Sequence, residues 1–210
     1  MRVLRWLIAA AIATGICWLF PPFHIVSLKT ATAQKAAVTF NPAAFADTFW
    51  DKKLLLALPN AINAQTLLAA IQADPAAAKT NYSHSIGIGG SYCYFLSGTG
   101  LVTAVSDDEV SLALIPGSTN TEISLQASLI FGNALRDGTG LLNVNDYPDS
   151  QDFNAISEAL NHLVETRVLP KLREQAKVGS KLSFSGCAEI DDESTDLKPL
   201  KVVPIQAEAK

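Results

Sequence analysis

The chain has 210 residues, of which 49 % are hydrophobic, 8 % aromatic and only 17 % charged. That is too apolar for a disordered or collagen-like chain, and three cysteines are too few for a disulfide scaffold. Sixteen basic against twenty acidic residues leave a net charge of −4, which repels a phosphate backbone and argues against nucleic acid as a partner.

Arg2 and Arg5 precede an uncharged run from Trp6 to Phe23. At 1.5 Å per residue the run makes roughly 27 Å of helix, just the thickness of a hydrocarbon core. Basic residues before the run, and no acid before Asp47, hold the amino end in the cytoplasm and export the remainder of the chain to the periplasmic side. Residues 1–23 therefore read as a signal peptide or membrane anchor, with the inner membrane as a partner. Three fates stay open: cleavage after Ala31-Thr32-Ala33, retention as a single span, or lipidation at Cys17. The last is disfavoured by Ile16, which stands where a small residue normally precedes a lipid-bearing cysteine. Cys93 and Cys187 then face an oxidising compartment and are candidates for a disulfide, with two buried thiols as the alternative.

Residues 24–40 show no helical stripe and read as a tether. Asn41-Pro42 supplies an N-cap and a first-turn proline for a helix presenting Phe45, Phe49, Trp50, Leu54 and Leu56 on roughly one face. Leu58-Pro59-Asn60 breaks it. A second helix is predicted from about Asn63 to Ala73 and a third from Asp74-Pro75 to near Lys79, so that 41–85 form a small helical subdomain. The glycine run Gly87–Gly90 precedes a strand rather than opening a helix, which suits a hinge and not a phosphate loop. Alternating segments come next, at Tyr92–Leu96, Leu101–Val105, Glu109–Leu114 and Glu122–Gln126. Gly98-Thr99-Gly100, Asp107-Asp108 and Pro116-Gly117-Ser118 separate them as turn signals. A loop rich in Gly and Asn, 132–149, leads into a long helix from Asp149-Ser150. Phe153, Ile156, Leu160, Leu163 and Val164 form its buried stripe, and Pro170 bends or ends it. Lys181–Ala188 and Leu200–Ile205 are the last strands, with an acidic turn between them and 207–210 as a tail. The class is α+β: a helical subdomain, then an OB-like antiparallel β-barrel over 86–206 with one long helix inserted. An open α+β sheet is the alternative.

No G-x-S-x-G, H-E-x-x-H or C-x-x-C is present. Glu158 and His162, one helical turn apart, read as an exposed pair and not as metal ligands, because no third ligand accompanies them. No metal or cofactor is expected. The acids at Asp107-Asp108 and around Asp191 read as solvated turns. The most informative polar segment runs from Asn133 to Gln151. Its Arg136, Asp137, Asn143, Asn145, Asp146 and Gln151 are the candidate ligand-binding residues, since amides, one guanidinium and carboxylates suit a hydroxyl-rich ligand. The same residues also fit a structural role, Arg136 and Asp137 tying the loop down while Asn145 and Asp146 cap turns. Trp50, Tyr147 and Phe153 add an aromatic face or fill the core.

Arg136-Asp137, Asn145-Asp146-Tyr147, Gln151, Phe153 and Ala159-Leu160-Asn161 resemble the signature of the DUF2291 predicted periplasmic lipoproteins. Phe49-Trp50-Asp51, Gly98-Thr99-Gly100 and a late strand with Gly179, Phe184 and Gly186 add to the resemblance, which covers about 41–206. It implies an exported protein of unassigned function that pairs a helical part with an OB-like barrel. It also implies an accessory role beside a sugar-type ABC uptake system or its binding protein, with no catalytic residues to carry over. The expectation is thus a non-enzymatic accessory protein binding a partner or small polar solute. A carboxylate-dependent enzyme of carbohydrate or cell-wall metabolism is the alternative.

Overall fold

The computed structural model describes residues 40–85 and 91–210, apart from 116, 119 and 148, together with residue 6. Asn41–Lys210 is one compact unit. The expected membrane segment beyond residue 6, Cys17, the tether up to residue 39 and the glycine run lie outside the described residues. Among the described residues no helix is long and apolar enough to cross a membrane.

Asn41 opens α1 (Pro42–Phe49) by accepting a hydrogen bond from the Ala44 N–H at 3.0 Å. The helical path continues through a wider π turn at Trp50–Leu54, one α turn at Leu55–Ala57 and a 3-10 turn at Leu58–Asn60. Ala46, Phe49, Trp50 and Leu54 are buried, but Leu56, expected on the same face, is 72 % exposed. The π turn carries an extra residue and rotates the face away from the core. After β1 (Ile62–Asn63) come α2 (Ala64–Ala73) and α3 (Pro75–Tyr82), capped by the side chains of Asn63 and Asp74. His84, expected in a loop, lies on β2 (Ser83–His84), antiparallel to the next strand.

That strand, β3 (Tyr92–Val105), corrects one expectation. Gly98-Thr99-Gly100 is no turn; the strand runs straight through it. The glycines are there for space, because a Cβ on Gly98 would come within 3.0 Å of the Phe184 ring and one on Gly100 within 3.0 Å of the Ala113 carbonyl. The remaining strands are β4 (Glu109–Ala113), β5 (Ile123–Gln126), β6 (Lys181–Ile190) and β7 (Leu200–Ala209). β7 takes in most of the expected tail. β3 pairs with β6 over Tyr92–Leu101 and with β4 over Leu101–Val105, so the path β3-β4-β5-β7-β6 returns to β3. The sheet is also not wholly antiparallel. β5 and β7 run parallel, Ile123 facing Leu200. Both run in the direction of β3, β6 being the antiparallel strand that separates β7 from it, so no other orientation is open to the pair. Leu96, Val110, Leu112, Ile123, Leu125, Leu182 and Leu200 are fully enclosed.

Between β5 and β6 the chain leaves the sheet. α4 (Ala134–Gly138) and a 3-10 turn at Val144–Asp146 occupy what reads in the sequence as plain loop. Asp149 caps α5 (Ser150–Leu163), and a π turn at Val164–Val168 leads into α6 (Leu169–Gln175). Pro170 stands in the first turn of α6, behind the π turn, where its missing N–H costs little. α1 packs on α5, α6 on β7, and α4 against β3 and β6.

Candidate functional site

α4 is five residues long, yet every one of them is buried. It is wedged against the paired strands β3 and β6. A Cβ on Gly138 would fall 2.8 Å from the Cys187 sulfur on β6. Two residues on, Gly140 turns the chain with φ +66°, and a Cβ there would fall 2.6 Å from Nδ1 of His84 on β2. Only glycine permits both the close approach and the left-handed turn.

Arg136 and Asp137 hold this wedge together. Arg136 Nε and Nη2 donate to the two Asp137 oxygens at 2.5 and 2.9 Å, a bidentate pair with residue exposures of only 5 % and 8 %. Arg136 Nη1 donates to Asn154 Oδ1 on α5 at 3.0 Å, and the guanidinium carbon lies 4.1 Å from the Phe153 ring centroid. Phe153 in turn meets Tyr147, which meets Phe45 of α1. The clasp therefore ties α4 to α5, and the rings carry the contact on to α1.

Asp137 lines one polar cleft, and Asn154, bonded to Arg136, lines another. The first, about 370 Å³, is lined by His84, Ser85, Asp137, Asn143 and Asn145 among others. The second, about 550 Å³, lies along α5 and is lined by Phe131, Asn133, Asn154, Ser157, Asn161 and neighbours. Hollows of about 770 and 850 Å³ occur elsewhere, but no buried amide or charged side chain lines them.

Of the six sequence candidates, Asp137, Asn143 and Asn145 meet at the first cleft, with Arg136 behind Asp137. Asn143 also accepts the Asn145 N–H at 3.0 Å, closing the 3-10 turn. Asp146 and Gln151 are exposed and line neither cleft. Trp50 and Phe153 sit in the core. Sequence reasoning missed the second cleft. Its signal was a polar stripe at Asn154, Ser157 and Asn161 beside the apolar stripe of α5, a pattern that reads as a solvated face.

His162 pairs differently from expectation. Its Nδ1 lies 3.8 Å from Glu165, not beside Glu158, because the other Glu165 oxygen is fixed by the Ile130 N–H at 2.9 Å. Among the described residues no cluster of three or more metal-ligating side chains occurs. The acidic turn after β6 is closed upon itself. Ser194 hydrogen bonds hold Asp192 below its usual pKa, and the Asp192 and Asp191 N–H groups do the same for Asp196.

Cys93 and Cys187 are free, buried thiols. Cys93 faces Glu189 and Cys187 faces Phe95, so the two stand diagonally on adjacent strands. Burial, reinforced by Glu189 and Asp137, pushes the Cys93 thiol up to about 12, and burial drives Cys187 well above its usual value.

A family model for predicted periplasmic lipoproteins, DUF2291, matches residues 7–208. The chain belongs to the DUF2291 family. The family description agrees with the periplasmic location expected from the sequence, and the matched residues include Cys17. The DUF2291 chain is also similar in structure to a crystallised OB-fold protein, TM0957, from Thermotoga maritima. The TM-score is 0.72 at 22 % identity, over 82 % of this chain and all of that one, which shows a shared fold. No match was found among curated proteins.

Proposed function

We propose that this DUF2291 protein is a non-enzymatic accessory protein on the periplasmic side of the inner membrane, held there by residues 1–23. It serves a sugar-type ABC uptake system by binding a small polar solute or a protein component. In this reading the strand circuit β3-β4-β5-β7-β6 is a closed OB-type barrel, and its inserted helices carry the binding surface. The observation that carries the reading is the Arg136–Asp137 clasp. It borders one amide-walled cleft through Asp137 and reaches the other through Asn154, and it engages both Asp137 oxygens, so the best-placed carboxylate is a scaffold and not a free acid. A glycosidase-type site needs two carboxyl groups facing each other across a substrate. Asp146, the other candidate acid, is exposed and lines neither cleft.

Affinity capture of the full chain from detergent-solubilised membranes tests this. Recovery of an importer component or a bound polar solute supports the reading, and recovery of neither counts against it. Turnover on a glycan panel that disappears in Asp137→Asn or Asp146→Asn would favour the carboxylate enzyme instead.

A further inference from the structure

The cleft along α5 combines three features. Asn161 is 8 % exposed, and its Nδ2 donates to the Gly132 carbonyl at 3.1 Å. Among the described residues its Oδ1 accepts no hydrogen bond, yet no fully buried side-chain polar atom lacks a partner. The oxygen therefore keeps access to solvent, and Asn161 lines the cleft. Ser157, 5 % exposed, donates to Asn133 Oδ1 at 2.9 Å, and its oxygen keeps lone pairs for an incoming hydroxyl. Asn133 and Asn154 line the same wall. Their oxygens are engaged by Ser157 and Arg136, while no bond inside the described protein uses their amide N–H groups. The wall thus offers acceptors and donors close together, as vicinal hydroxyls require.

The second feature is Phe131. It lines this cleft, yet 77 % of it is exposed, so its ring face is available. An aromatic ring beside recessed amides suits a ligand with one apolar C–H face and a hydroxylated edge. Charge is the third. Glu158 and Glu165 line the cleft with His162, so an anionic ligand would meet two carboxylates. The volume of about 550 Å³ is that of a small-ligand site, within roughly 300–1,000 Å³.

We infer that the cleft between the Ile130–Asn133 segment and α5 binds a neutral saccharide, Phe131 stacking on the sugar ring while Asn133, Asn154, Ser157 and Asn161 bond its hydroxyls. This rests on the solute-binding reading above and names the solute class and the cleft that takes it.

The test uses the full chain in a detergent without a sugar headgroup, titrated calorimetrically with neutral mono- and disaccharides and with sugar phosphates. At least one neutral saccharide is expected to bind saturably and more tightly than its phosphate. Phe131→Ala should weaken it about tenfold without lowering the melting temperature, because the ring is exposed, and Phe131→Trp should retain it. Failure of every neutral saccharide, tighter binding of the phosphate, or indifference to Phe131→Ala would overturn the inference. If a polar solute binds but is lost on Asn143→Ala and not on Phe131→Ala, the saccharide cleft is wrong while the broader reading stands. Loss of protein capture, and not of saccharide binding, in Phe131→Ala would make the ring a docking contact and overturn the inference too.

Discussion

Both oxygens of Asp137 are taken by Arg136, and the pair is almost wholly enclosed. Burying two charges is worthwhile only when each satisfies the other, so removing one partner costs far more than removing both. Asp137→Ala leaves a guanidinium stranded beside Phe153 and should lower the unfolding free energy by about 3–5 kcal/mol. The double variant Arg136→Met with Asp137→Leu should recover most of that loss. Urea unfolding of the three proteins measures it, and a single variant no less stable than the double would show that the clasp does not hold the wedge. At this scale the sequence was partly legible. It singled out Arg136 and Asp137 and offered two roles, and the geometry engages the side chains in the structural one. Asn161 stood in the family signature without a role, and Phe131 was not singled out, because nothing local distinguishes a side chain facing a cleft from one facing bulk water.

At the scale of elements, caps and prolines spoke clearly. Asn41, Asn63, Asp74 and Asp149 each open the helix that their side-chain chemistry predicts. Glycines misled, because a residue without a side chain marks either a turn or a tight contact, and only the partner strand decides which. Gly98 and Gly100 belong to the second kind. So does Gly138, which lets α4 lie against β6. Gly138→Ala would set a methyl group 2.8 Å from the Cys187 sulfur, an overpacking expected to cost about 1–3 kcal/mol. Adding Cys187→Ala removes the sulfur but leaves the Cβ at 2.9 Å, so it should return part of the loss and the two changes are coupled. A double-mutant cycle in urea detects this as a non-additive term. Strict additivity would mean that the wedge relaxes elsewhere. The π turns at Trp50–Leu54 and Val164–Val168 left no mark in the sequence, since the wider turn is selected by packing around it and not by its own residues.

For the whole molecule, charge and hydropathy divide the labour. The part after Arg5 carries 14 basic against 20 acidic residues, about −6 in all. A body of that sign has no electrostatic affinity for an anionic bilayer, so attachment belongs to the proposed N-terminal anchor. The division also explains why the architecture could be read while the task could not. Alternating strands and capped helices obey rules that hold for any solvent-exposed domain, whereas a cleft arises only when loop and helix meet. The separation is measurable. In about 1 M salt, where charge attraction is screened within roughly 3 Å, the full chain should stay with the membrane fraction and leave it only in detergent. A version starting at Asn41 behind a cleavable export signal retains the compact unit and should appear in the osmotic-shock fluid. Release of the full chain by salt alone would place the attachment on a charged protein surface and remove the anchor from the proposal.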